Sequence, residues 1–364
     1  MNKTYAYNHQ PIEFDFKQTI ERFFVEEIPQ YKFNNKGANL ILKIKKQDMS
    51  TFKLVTVIAK ATGLEEREIG YAGLKDKSAT TIQYISIPKQ YERDLIKNLT
   101  TDKIKIVEKF YSKFPIKIGQ LKSNKFSIVL HKVTKDNAKK IEETALNIAK
   151  NGFPNYYGYQ RFGEDSKSYI QGQEIASSGK RLKGAKEKLL VSAYQSHLFN
   201  NWLSNRLEIS KTINENTIEE ATKLLNYPLE LVKVLKEQPQ FFKLFIGDDM
   251  LGYPYGKRYY LQEFKQSSND FNNAKISPTG ILSGSRAKKA YSDARALEEN
   301  FDDDELSSLK GDRRYAWIWA EDLSFSYNHY KEELTINFAL AKGSYATTFL
   351  EEIAKKSLKE RIIL

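Results

Sequence analysis

The chain has 364 residues, 40% of them hydrophobic, with 22 tyrosines and 21 phenylalanines, enough apolar material for a sizeable core and too much for global disorder. Lysine and arginine outnumber aspartate and glutamate by 58 to 46, a net charge of +12; such an excess favours a polyanionic partner, nucleic acid first, although basic enzymes of many kinds share it. There is no cysteine, and the four histidines are scattered without ligand spacing, so disulfides, thiolate metal sites and cysteine nucleophiles are excluded and no metal chemistry is implied.

The first residues, MNKTYAYNHQPIEFDF, contain no apolar signal segment, and no apolar run is long enough to span a bilayer. The expectation is a cytoplasmic protein without a membrane partner. Ser50 is a candidate N-cap for a helix over 51–61, where Phe52, Val55, Ile58 and Ala59 recur at helical spacing before Gly63 ends the pattern. Residues 68–73 and 83–87 are short and β-rich, and they flank the polar loop Lys75-Asp76-Lys77-Ser78. Residues 125–133 alternate as a strand with Phe126, Ile128 and Leu130 on one face, and 136–150 read as a helix closing near Gly152.

From about residue 156 the character changes. Gly158-Tyr159-Gln160-Arg161-Phe162-Gly163 is polar and glycine-bracketed, and 189–207 reads as a long amphipathic helix. Residues 265–312 mix Gln, Ser, Asn, Lys and Asp and include the acidic run Asp302-Asp303-Asp304-Glu305, which predicts loops and a solvated helix end, with the acidic run at the surface. Residues 333–341 alternate as a strand, Gly343 breaks it, and 345–355 has helical apolar spacing. This strand-then-helix tail matches the first part of the chain, a pattern that an inserted domain within a split domain explains; no internal repeat of fixed period is present.

The stretch Gly70-Tyr71-Ala72-Gly73-Leu74-Lys75-Asp76-Lys77-Ser78-Ala79-Thr80-Thr81-Ile82-Gln83 places one carboxylate among cations on a small-residue loop. Taken alone it reads equally as a glycine-containing turn with a solvated aspartate. Taken whole, it resembles the first signature of the TruD family of tRNA pseudouridine synthases, and Asp76 falls on that family's nucleophile. Asn155-Tyr156-Tyr157-Gly158-Tyr159-Gln160-Arg161-Phe162-Gly163 is similar to a second family element, and Ser192-Ala193-Tyr194-Gln195-Ser196-His197-Leu198-Phe199-Asn200 to a third, in the same order. Weaker similarities lie at 17–27, at Lys122-Ser123-Asn124-Lys125-Phe126 and at Ala341-Lys342-Gly343-Ser344-Tyr345-Ala346-Thr347. Arg22 departs from the acidic residue expected before Phe23, and 210–310 carries little resemblance.

The resemblance implies an α+β fold: a pseudouridine synthase catalytic domain with a mixed, largely antiparallel sheet, split into residues 1–155 and 311–364, with an inserted TRUD-type α/β domain over 156–310. It implies an enzyme that isomerises uridine 13 in the D-arm of tRNA to pseudouridine, with tRNA bound in a basic cleft and the target uridine extruded; the sequence leaves the oligomeric state open, with a monomer as the expectation. The reaction breaks the C1′–N1 bond, turns the uracil and rejoins it through C5, so no redox cofactor is needed; a carboxylate can assist by attack or by deprotonation.

Lys17, matching a basic family position, is the candidate cation beside Asp76, and is equally readable as a surface lysine. Lys75 and Lys77 are candidates for phosphate. Phe126 is the candidate stacking face for the flipped base, with an ordinary core phenylalanine as the competing reading. Asn124, on the same strand face, is placed to bond Asp76 or the uracil edge. Gln160 and Arg161 are candidate substrate contacts, Phe162 packing, and Gln195 and Ser196 structural. Two other classes compete: a catalytically silent RNA-binding protein on the same fold, against which the intact Asp76 motif argues, and a methyltransferase or nuclease, against which the lack of a glycine-rich nucleotide-binding unit or a carboxylate cluster argues.

Overall fold

The structure, a computed structural model, describes residues 3–99, 101–163 and 165–358. These group into two units, one formed by Ile12–Glu143 with Ala320–Gly343, the other by Thr144–Trp319 with the described residues of 1–11 and 344–359.

The first unit is built on eight strands: β1 (Phe23–Pro29), β2 (Asn39–Gln47), β3 (Gly70–Tyr71), β4 (Thr80–Pro88), β5 (Ile104–Ser112), β6 (Leu121–Leu130), β7 (Ala320–Asn328) and β8 (Glu333–Ala341). They form one mixed sheet in the order β7-β8-β6-β1-β4-β2-β5, with β3 beside β4. The β1–β4 pair is parallel and the others are antiparallel. The fold is therefore α+β, with a mixed and largely antiparallel sheet.

Alternation decides which side chains share a face. Register pairs Val25 with Phe126 and Thr81, Glu27 with Asn124, Phe126 with Phe338, Lys46 with Thr81, and Ile44 with Gln83. These residues consequently line one face, and on part of it Leu40, Leu42, Ile44, Ile85 and Ile87 pack against helix α1 (Thr51–Thr62) through Leu54, Val55 and Ile58. The α1 start follows the sequence: the Ser50 side chain accepts the Lys53 N–H at 3.2 Å, and Gly63 closes the helix in the left-handed region at φ 78°. Helices α2 (Glu92–Asn98) and α3 (Lys135–Asn151) follow.

The second unit is mainly helical. Helix α4 (Ser168–Ser177) packs on the long α5 (Gly184–Glu215), and a four-stranded sheet is formed by Asp312–Tyr315, Ile276–Leu282, Asp249–Gly252 and Arg258–Tyr260 in that order. Helix α6 (Ala346–Ala354) belongs here too, and its Glu352 accepts the backbone N–H groups of Ala6 and Tyr7 at 2.9 and 3.2 Å.

Two expectations are corrected in this unit. Residues 265–312 are not mainly loop, since they contain the buried strand Ile276–Leu282. Its irregular composition has a packing cause, because a Cβ at Gly280 would lie 2.2 Å from the Trp202 ring. Nor is the acidic run simply solvated. Asp302 is buried between Lys289 and Arg295, both at 2.8 Å, and Asp303 accepts the Tyr194 hydroxyl at 2.7 Å.

Candidate active site

Asp76 sits on the loop joining β3 to β4, and its residue surface is exposed. The loop is fastened on both sides of it. The Lys75 backbone N–H donates to Thr51 Oγ1 at 2.9 Å, and that hydroxyl donates to Gln83 Oε1 at 3.0 Å, so the first residue of α1 joins the loop to the sheet. Lys46 Nζ donates to the main-chain oxygen of Asp76 at 3.1 Å and also to that of Met49. Ala79 N–H closes a tight turn onto the Lys77 oxygen at 2.8 Å.

Lys75 turns inward. Its side chain is buried, and its ammonium group meets Glu27 Oε2 at 2.6 Å, where Glu27 is 1% exposed. The other Glu27 oxygen accepts the Tyr84 N–H at 3.4 Å. A buried ion pair of this kind loses hydration on both partners and persists because each satisfies the other. Lys75 thus anchors the loop to β1 and does not present its charge to solvent.

The Asp76 carboxyl group is held above the usual aspartate range. Desolvation by the surrounding protein is the main cause; Lys46, a hydrogen bond from the Gln18 side chain, and Lys75 pull the other way. Its open surface keeps water in contact, which moderates the upward shift. A carboxylate that is reachable from outside and backed by cations is suited to act as a nucleophile or base.

Beside this loop, Asn124 and Phe126 lie on the same sheet face as Glu27, Lys46 and Gln83. Asn124 Oδ1 and Gln83 Nε2 are buried polar atoms without a partner. Phe126 is buried in an aromatic row, stacked on Phe338 at 5.3 Å and edge-on to Phe23 at 6.1 Å. Lys17 and Lys77 are exposed, and the cations acting on Asp76 are Lys46 and Lys75.

Gln160 and Arg161 lie in the other unit. Gln160 is exposed, whereas Arg161 donates to the hydroxyl groups of Ser192 and Ser196 on α5. Asn200 grips both polar groups of Tyr157, accepting its N–H at 2.8 Å and donating to its carbonyl at 3.0 Å. The second and third sequence elements therefore dock on one another. Arg314 adds to the joint, bonding Asn155 and lying 4.0 Å over the Tyr157 ring. Gln195 bonds the Ser283 carbonyl at 2.6 Å, and Phe162 is buried.

Reasoning from the sequence missed Lys46, Glu27, Gln18 and Gln83 as parts of the site. A signal for Lys46 was present: it falls in step with Leu40, Leu42 and Ile44 on the inward face of β2, where a lysine is out of place. Among the described residues no group of three or more His, Asp or Glu is placed to hold a metal ion, and no helix is long and apolar enough to cross a membrane.

A mixed sheet with a fastened aspartate loop defines a class, and comparison with known proteins gives the family. The chain matches the profile of "tRNA pseudouridine synthase D (TruD)" over residues 2–180 and 258–353. It is 45% identical over 362 residues to a tRNA pseudouridine synthase D from Sulfurimonas denitrificans, covering 98% of this chain and 100% of that protein. It is 44% identical to one from Nitratiruptor sp., covering 99% of each, and 39% identical to one from Campylobacter jejuni. The crystal structure of a Methanosarcina mazei protein named for tRNA pseudouridine synthase D shares the fold, with a TM-score of 0.67 at 19% identity over 98% of this chain and 96% of that one. The chain belongs to the tRNA pseudouridine synthase D (TruD) family.

Proposed function

We propose that this protein isomerises uridine 13 in the D-arm of tRNA to pseudouridine, with Asp76 as the nucleophile. The observation that carries the reading is an exposed carboxylate on a loop held from beneath by Lys46, Lys75 and Thr51, within the family's own motif. The C1′–N1 bond breaks and a C1′–C5 bond forms; N1 gains a hydrogen and C5 loses one, so the product has the mass of the substrate. Addition to the base, attack at C1′ and removal of a sugar proton all require the ionised carboxylate.

In this reading Ile12–Glu143 with Ala320–Gly343 is the catalytic unit, and the insertion expected over 156–310 falls in the other. Asn124 and Phe126 flank the extruded base, Asn124 offering its unpartnered oxygen to a donor on the uracil edge and Phe126 apolar surface. Lys17, Lys77 and Gln160 are exposed and available to the RNA backbone; Lys75 and Arg161 act indirectly, by fixing the segments that carry their neighbours.

Asp76→Asn keeps shape and removes charge. We expect tRNA binding to be retained and isomerisation to be lost, by roughly a thousandfold or more if the carboxylate forms a covalent intermediate. Mass-neutral pseudouridine mapping on tRNA after single-turnover incubation checks this, and also locates the modified position. Pseudouridine formed by Asp76→Asn at the wild-type rate refutes the nucleophile; tRNA binding by the wild-type protein without any pseudouridine favours a silent RNA-binding role.

A further inference from the structure

Lys46 occupies a position that β2 otherwise fills with apolar side chains. Leu40, Leu42 and Ile44 precede it on the same face, and Lys46 itself is 0% exposed. A lysine buried this completely gives up its hydration, so its place is costly unless its charge is used. Its ammonium group has three N–H donors. Two go to main-chain carbonyls, of Met49 just ahead of α1 and of Asp76 at 3.1 Å, which ties the strand end, the helix start and the loop together at one point.

Carbonyl groups satisfy hydrogen bonds without neutralising charge. The anion acting on Lys46 is Asp76, and the other nearby cation, Lys75, is neutralised by Glu27 at 2.6 Å. Lys46 thus stands behind the loop as a buried positive charge whose counter-ion is Asp76 itself. Its importance should grow when substrate arrives, because a base and ribose closing over Asp76 displace the water that now solvates its open side.

We propose that Lys46 is a positioning residue for the isomerisation, fixing the Asp76 main chain by its carbonyl and holding a positive charge against the carboxylate as substrate excludes water. This rests on the role proposed for Asp76. Burial also holds the Lys46 ammonium down at about 8, with Asp76 raising it and Lys75 lowering it further. Lys46 therefore gives up its proton under mildly alkaline conditions, where an ordinary lysine keeps it.

The test is the single-turnover rate of pseudouridine formation on tRNA between about pH 7 and about pH 9, for wild type and Lys46→Met, with melting temperatures alongside. We expect Lys46→Met to lower the maximal rate per folded molecule roughly tenfold or more with unchanged half-saturation by tRNA and no alkaline decline. A maximal rate per folded molecule equal to wild type overturns the proposal. If Lys46→Met does not fold, Lys46→Gln, which removes the charge and keeps a donor for the Met49 and Asp76 carbonyls, takes its place: a roughly tenfold lower maximal rate per folded molecule supports the role and a rate equal to wild type overturns it. Wild-type protein that makes no pseudouridine in tRNA overturns the function itself, whereas active wild type with an equally active Lys46→Met overturns only this inference.

Discussion

Asp76 and the Lys75–Glu27 pair show how the chemistry of single residues is set by what surrounds them. Because desolvation raises the Asp76 carboxyl group and the reaction needs its ionised form, activity should fall as pH drops through a midpoint above that of a free aspartate, near 4. The acid limb of the rate against pH measures this, and a limb at the free-aspartate value removes the desolvation argument. For the ion pair the energetics are asymmetric. Glu27→Gln or Lys75→Met alone strands a charge at a buried site and should cost about 3–5 kcal/mol, whereas replacing both should cost much less. Chemical denaturation of the two single variants and the double variant gives the coupling directly, and simple additivity would mean that the pair is not linked. Neither residue could have been assigned this role from sequence, since adjacency to Asp76 made Lys75 look like a phosphate contact and only the fold brings Glu27 to it.

Among the elements, those with strong periodicity and clear punctuation were legible. Helix α1 begins after the Ser50 cap and ends at Gly63, β8 occupies Glu333–Ala341 as its alternation requires, and α3 ends beside Gly152. Helix α5 extends beyond the expected 189–207: the residues added at its start, 184–188, are mostly exposed and carry no apolar stripe, while those at its end pack through Ile209 and Ile213. The strand Ile276–Leu282 was hidden by Ser277, Pro278 and Gly280, which suit its buried neighbours more than any strand pattern. What the second and third sequence elements do was also hidden, because their job is to bind each other. From the two Asn200 bonds to Tyr157 we expect Asn200→Ala to leave two partly buried backbone groups unpaired and to cost about 1–3 kcal/mol. Thermal unfolding of that variant checks it; an unchanged melting temperature would mean that water or a neighbour replaces the amide.

For the whole molecule, the excess of 58 basic over 46 acidic residues becomes a statement about association. Binding of tRNA should weaken steeply with salt, because each phosphate neutralised releases condensed counterions. With about −0.7 to −0.9 in logarithmic slope per contact, a slope near −3 corresponds to about four phosphates. Titrations at several salt concentrations measure the slope, and a slope near zero would mean that the net charge plays no part in gripping the substrate. Asp76→Asn should leave the slope unchanged, since the loss of one carboxylate at the base pocket alters no phosphate contact.

The pairing of β6 with β8 also bears on how the chain is made. Residues 121–130 leave the ribosome first, and their partner Glu333–Ala341 follows only after roughly 200 further residues, about 10–40 seconds of synthesis at about 5–20 residues per second. Through that interval one edge of β6 has no partner strand, and the Phe126 ring lacks the Phe338 ring that later covers it. A nascent chain in this state exposes both an unsatisfied strand edge and an aromatic surface, the features that recruit aggregation or a chaperone. Chains halted before residue 333 should accordingly be the most chaperone-dependent of the translation intermediates, and this sheet can be completed only once Glu333–Ala341 has been made.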